Sequence, residues 1–77
     1  MPVRRVSLGP TGELVKSNIR ECRIKRELTQ AELAEAAGLP SQSITEIENG
    51  ARRVNVDDLV AISSALGISN ARLLGQK

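Results

Sequence analysis

Four side chains at helical spacing carry the most chemical information in this sequence: Gln42, Thr45, Glu46 and Asn49. At about 100° per residue they fall on one side of a short helix, and Ile44, Ile47 and Glu48 fall on the other. An amide, a hydroxyl, a carboxylate and a second amide make a face with few long charged chains. It suits the reading of a patterned polar partner better than simple solvation. Glu48 raises the opposite question. On the side that packs inward a lone carboxylate is costly, so it needs a cation. Arg23, on the first helical segment, is the expected partner; the alternative is an exposed pairing with Arg52, four residues on.

Other chemistries find little support. Cys22 is the single cysteine and histidine is absent, so neither an intrachain disulfide nor a thiol–imidazole zinc site can form. No nucleophile is paired with a base, which argues against an enzyme, and no cofactor, metal or small-molecule ligand is implied. Cys22 shares a helical face with Val15 and Ile19 and is expected to act as a small hydrophobe. No apolar run has the length of a membrane span or a signal-peptide core. A cytoplasmic protein with no membrane partner is expected.

The elements that would position the polar face follow from the pattern of apolar residues and caps. The chain has 77 residues, 40% of them hydrophobic and none aromatic. One small core of Leu, Ile, Val and Ala is therefore expected, in an all-α fold. Helices are predicted over about 13–27, 30–37, 41–49, 56–66 and 70–75. Thr29-x-x-Glu32 is a capping box for the second helix, and Gly38 is the expected left-handed residue at its end. Asn55 caps the fourth, with Asp57 and Asp58 at the positive end of its dipole. Two short helices either side of Gly38 have the form of a helix-turn-helix.

Seven of the eleven basic residues lie between Arg4 and Arg26, although the net charge is only +2. By itself this is an ordinary solubility feature. Residues 1–12, with Pro2, Gly9 and Pro10, are expected to form a flexible basic arm before a single domain over 13–77. The arm is open to three readings: a frayed terminus, a contact to DNA, or a short strand paired across a dimer. Ile68, Leu73 and Leu74 are many large apolar groups for one terminal turn. Either they finish the core or they meet a second copy.

The segments ELTQAELAEAAGL, SITEIENGARR and DDLVAISSALGIS resemble the XRE/Cro family of lambda-repressor-like DNA-binding domains. The resemblance spans about residues 15–74. It implies a five-helix bundle with helices 2 and 3 as the helix-turn-helix, and a structural pair between Arg23 and Glu48. It also implies that Ser41, Gln42 and Ser43 meet base edges, with Thr45 and Glu46 on the same face. Gln30 would bind a phosphate and brace the recognition helix, and Asn49, Arg52 and Arg53 would meet the sugar-phosphate backbone. Three positions depart from the family pattern: Glu27 where glycine is common, Pro40 at the usual cap, and Glu46 where a basic or amide residue is frequent.

On this reading Gln42 can bond an adenine edge, and Glu46 is equally a cytosine acceptor or a salt-bridge partner of a basic side chain. The expected function is a sequence-specific transcriptional regulator, with repression the favoured mode. It would bind a palindromic operator in the major groove of double-stranded DNA as a homodimer, with Ile68, Leu73 and Leu74 as dimer candidates. A controller of a restriction-modification locus is a subclass of this. The rival is an antitoxin-type interaction module that neutralises a partner protein and regulates its own promoter; the short leading segment leaves little chain to wrap such a partner.

Overall fold

The computed structural model describes residues 9–75. It is all-α there, with α1 over Gly9–Lys25, α2 over Gln30–Ala36, α3 over Ser43–Glu48, α4 over Val56–Leu66 and α5 over Asn70–Leu73. Helix α2 packs on α3 and α4, while α1 runs against α3, α4 and α5. Only α1 and α4 exceed ten residues. The three short helices are too brief to persist alone in water, so tertiary packing maintains them.

That packing comes from Val15, Ile19, Leu33, Ala34, Ile44, Ile47, Ile62, Leu66 and Leu73, all 5% exposed or less. Each large side chain among them contributes about 1.5–3 kcal/mol on leaving water. Cys22 is half-buried and packs against this cluster as a small apolar group.

Helix starts agree with expectation where a side-chain cap decides them, and differ elsewhere. The fourth helix spans the expected residues, fixed by the Asn55–Asp58 capping box. The first begins at Gly9, four residues before the expected start. Gly9 has φ +75° and Pro10 follows it in the first turn, where a missing N–H leaves no bond unmade. The Pro and Gly that suggested a break therefore open a helix. Residues 1–8, with Arg4, Arg5 and the alternating Val3, Val6 and Leu8, lie outside the described residues. Helix α3 begins at Ser43 rather than 41, because the Ser43 N–H closes a turn on the Pro40 carbonyl at 2.9 Å. Gln42 stands at its cap without a side-chain bond. Helix α5 ends at Leu73, and Gly75, at φ +82°, lies where a Cβ would run into Leu14.

Helices α1, α2, α3 and α4 end in the same pair of backbone bonds. After α2, Gly38 N–H donates to the Glu35 carbonyl and Leu39 N–H to that of Ala34. This is the Schellman closure, which requires a left-handed residue at its first position. Gly38 supplies it with φ +70°, and Leu39 then folds back against the core. After α1 the same two bonds run from Glu27 to Ile24 and from Leu28 to Arg23. Here the left-handed residue is Glu27, at φ +56°, the one non-glycine with positive φ among the described residues. A Cβ in that conformation costs roughly 1–2 kcal/mol.

Candidate nucleic-acid interface

The site is assembled from α2 and α3, and α1 sets their relative position. Thr29 begins it. Its hydroxyl accepts from the Glu32 N–H at 3.0 Å, and the Glu32 carboxylate accepts from the Thr29 N–H at 2.8 Å. Hydrogen bonding to the carboxylate by the Thr29 backbone N–H first, and by the Thr29 side chain second, holds the Glu32 carboxyl below its ordinary value. The cap fixes the first turn of α2 and so the position of Gln30.

Arg23 reaches across from α1 to Glu48. Its Nε donates to Oε2 at 2.7 Å and its Nη2 to Oε1 at 2.9 Å, while Nη1 donates to the Leu28 carbonyl at 2.8 Å. The hydrogen bond to Glu48 and the nearby negative charge raise the Arg23 pKa against the opposing effect of burial. Glu48 Oε1 also accepts from Gln30 Nε2 at 3.1 Å, and Gln30 Oε1 accepts from the Thr45 hydroxyl at 2.7 Å. Four side chains thus join α1, α2 and α3. The inward carboxylate of the recognition pattern has its cation, and Arg23 rather than Arg52 provides it.

On the other side of α3 the side chains of Ser41, Gln42, Glu46 and Asn49 are exposed, with Thr45 half-buried beside them. Arg53 is exposed in the loop that follows. Two of the expected DNA-facing residues are placed differently. Ser43 is 1% exposed and its hydroxyl accepts from Arg52 Nη1 at 3.0 Å. Four residues before Ile47, it lies on the side of α3 that faces the bundle. Arg52, expected at the sugar-phosphate backbone, donates from Nη2 to Asp58 Oδ2 at 2.8 Å, and about a third of its side chain is exposed. Gln30 keeps its place at the start of α2, but both ends of its amide are engaged within the protein.

Sequence reasoning missed Asp58 as a member of this site. It was assigned only to the α4 dipole, yet at 4% exposure it anchors Arg52 and completes the Asn55 capping box. The signal was the Asn-x-x-Asp spacing, whose aspartate falls six residues after Arg52. The dimer candidates also divide. Leu73 is fully buried in the core, while Ile68 and Leu74 are half-buried against it. Leu73 is therefore a core residue, because α5 docks on both α1 and α4 and turns this side chain into the bundle.

Among the described residues no group of three or more Cys, Asp or Glu side chains could hold a metal ion. No helix among them is long and apolar enough to cross a membrane.

An all-α bundle whose second and third helices meet across a tight left-handed turn, with a polar face outward on the third, defines a helix-turn-helix protein. The Helix-turn-helix family matches residues 19–70. The chain belongs to that family, in its XRE/Cro type, whose members are DNA-binding transcriptional regulators. It is 34% identical over 62 residues to an uncharacterised HTH-type transcriptional regulator, y4dJ of Sinorhizobium fredii, covering 80% of each chain. It is 31% identical over 74 residues to control protein C.SmaI of Serratia marcescens, covering 96% of this chain and 88% of that one. Among solved structures it is similar to the restriction-modification controller protein C.AhdI of Aeromonas hydrophila. That match has a TM-score of 0.72 and 33% identity, over 80% of this chain and 96% of the other.

Proposed function

We propose that this regulator binds a palindromic operator as a homodimer, with the exposed face of α3 in the major groove, and represses by occluding polymerase. The observation that carries this reading is the two-sided character of α3. Its inner side is locked by Arg23, Gln30 and Glu48, while Glu46 on its outer side and Ser41, Gln42 and Asn49 at its two ends stand exposed. Rigid support behind an exposed polar face is what base readout needs, because misplacing an amide weakens its paired bonds to a base edge.

One such face covers only a few base pairs. Two copies on a two-fold axis read half-sites about ten base pairs apart and multiply the discrimination. Exposed Arg53 supplies affinity that does not depend on sequence. Two of the relatives above are control or controller proteins, which favours the controller of a restriction-modification locus as the subclass. Selecting bound fragments from random DNA tests the reading. A two-fold symmetric motif is expected; a motif without symmetry removes the dimer, and no motif removes the operator.

A further inference from the structure

Glu46 is the residue of the exposed face hardest to reconcile with a polyanionic partner, since phosphates repel a carboxylate. Its surroundings answer this. Arg52 Nη1 lies 3.9 Å from Glu46 Oε1, close enough to offset its charge and too far for a hydrogen bond. Arg52 cannot close that gap without leaving its own anchors, Ser43 Oγ at 3.0 Å and Asp58 Oδ2 at 2.8 Å. Both anchors are buried, and Asp58 is held in turn by the Asn55 cap. Glu46 is 50% exposed, so its oxygens keep their lone pairs for a partner on the DNA side. The C·G edge flanks its amino donor in the major groove with an acceptor on one side only, the O6 of the paired guanine. The adenine edge sets N7 beside its amino group, where a second carboxylate oxygen is repelled.

We propose that Arg52, pinned by Ser43 and Asp58, is a positioning residue that holds Glu46 to read a cytosine amino group. This rests on the operator reading above. It assigns Arg52 a part in specificity, distinct from a phosphate contact, which would act on all sequences alike.

The experiment is selection from random double-stranded DNA by the wild type and by Glu46→Gln, Arg52→Lys and Ser43→Ala variants, each checked for retained helicity by circular dichroism. The wild type is expected to enrich cytosine at one position of each half-site, and Glu46→Gln to change that position to adenine. Arg52→Lys and Ser43→Ala keep the carboxylate but loosen its support. They are expected to weaken the cytosine preference about fivefold or more at that position alone. If Arg52→Lys does not fold, Ser43→Ala decides, because it leaves the Arg52–Asp58 pair in place. A motif identical for wild type and Glu46→Gln overturns the proposal and leaves the operator reading standing. So does a cytosine preference undiminished in every folded variant of Arg52 and Ser43. Enrichment of no motif by the wild type overturns the operator reading and this proposal together.

Discussion

Arg23 and Glu48 meet in a two-pronged pair, 2.7 Å from Nε to Oε2 and 2.9 Å from Nη2 to Oε1, with the glutamate side chain only 3% exposed. Breaking it from one side strands a buried charge. Arg23→Met is expected to destabilise the fold by about 3–5 kcal/mol, read as a lower midpoint in urea unfolding. The double variant Arg23→Met with Glu48→Leu should recover most of that loss, because no unpaired carboxylate remains. An unchanged midpoint for the single variant would rule out the pair as a stabilising contact.

Glu27 carries a left-handed conformation that the closure of α1 imposes. Glu27→Gly relieves the Cβ clash at the expense of a more flexible unfolded chain. A net gain of about 1 kcal/mol is expected. For a domain of this size that raises the thermal midpoint by roughly 4–8 °C, measured by circular dichroism. A fall in the midpoint would mean that contacts of the Glu27 side chain outweigh its backbone strain.

Hydrogen bonds from the Thr29 backbone and side chain lower the Glu32 pKa from its ordinary 4.5. A group whose folded pKa is depressed adds stability above its unfolded pKa and loses it as pH falls through the folded value. The capping contribution is therefore present at neutral pH and fades below pH 4.5. Glu32→Gln keeps a capping side chain but cannot titrate, so its stability relative to wild type should improve on going from pH 6 to about pH 3. Parallel pH profiles for the two proteins would show that the cap is not coupled to the proton.

Gln42 and Arg53 are both exposed but should differ in what they lose. Gln42→Ala is expected to weaken operator binding by about 1–3 kcal/mol and leave random-sequence DNA nearly unaffected. Arg53→Ala should weaken both alike and make binding less dependent on salt. Titration of the two DNAs at two salt concentrations separates the cases. Equal loss on both for Gln42→Ala would remove its role in base recognition.

Leu73 is fully buried, whereas Leu74 beside it is half-buried. Leu73→Ala should cost about 2–5 kcal/mol at every protein concentration, because it opens a cavity within one copy. A deficit that grows on dilution would instead place Leu73 between copies.

The helix-turn-helix was legible because its signals are local. The Thr29 box, the left-handed Gly38 and the spacing of Ile44 and Ile47 each act within about one helical turn. Glu48 was legible for a different reason. An inward carboxylate must find a cation, and Arg23 was the cation opposite it on α1. Ser43 and Arg52 were turned toward DNA only by resemblance to the family, and the resemblance carries no record of the contacts Ser43 Oγ–Arg52 Nη1 and Arg52 Nη2–Asp58 Oδ2. Ser43 stands one helical turn before Ile47 and shares its buried side.

The fold class, the order and approximate length of the helices, and the division of α3 into an apolar and a polar side could all be read from the amino acids alone. Those features depend on periodicity and capping, which are written in neighbouring residues. Which polar groups remain exposed and which are engaged within the protein depends on how the helices pack. Gln30 is tied to Glu48 and Thr45, and Arg52 to Ser43 and Asp58. Leu73 closes the core. Each of these depends on distances between separate elements, and helical periodicity carries no record of them until the bundle has packed.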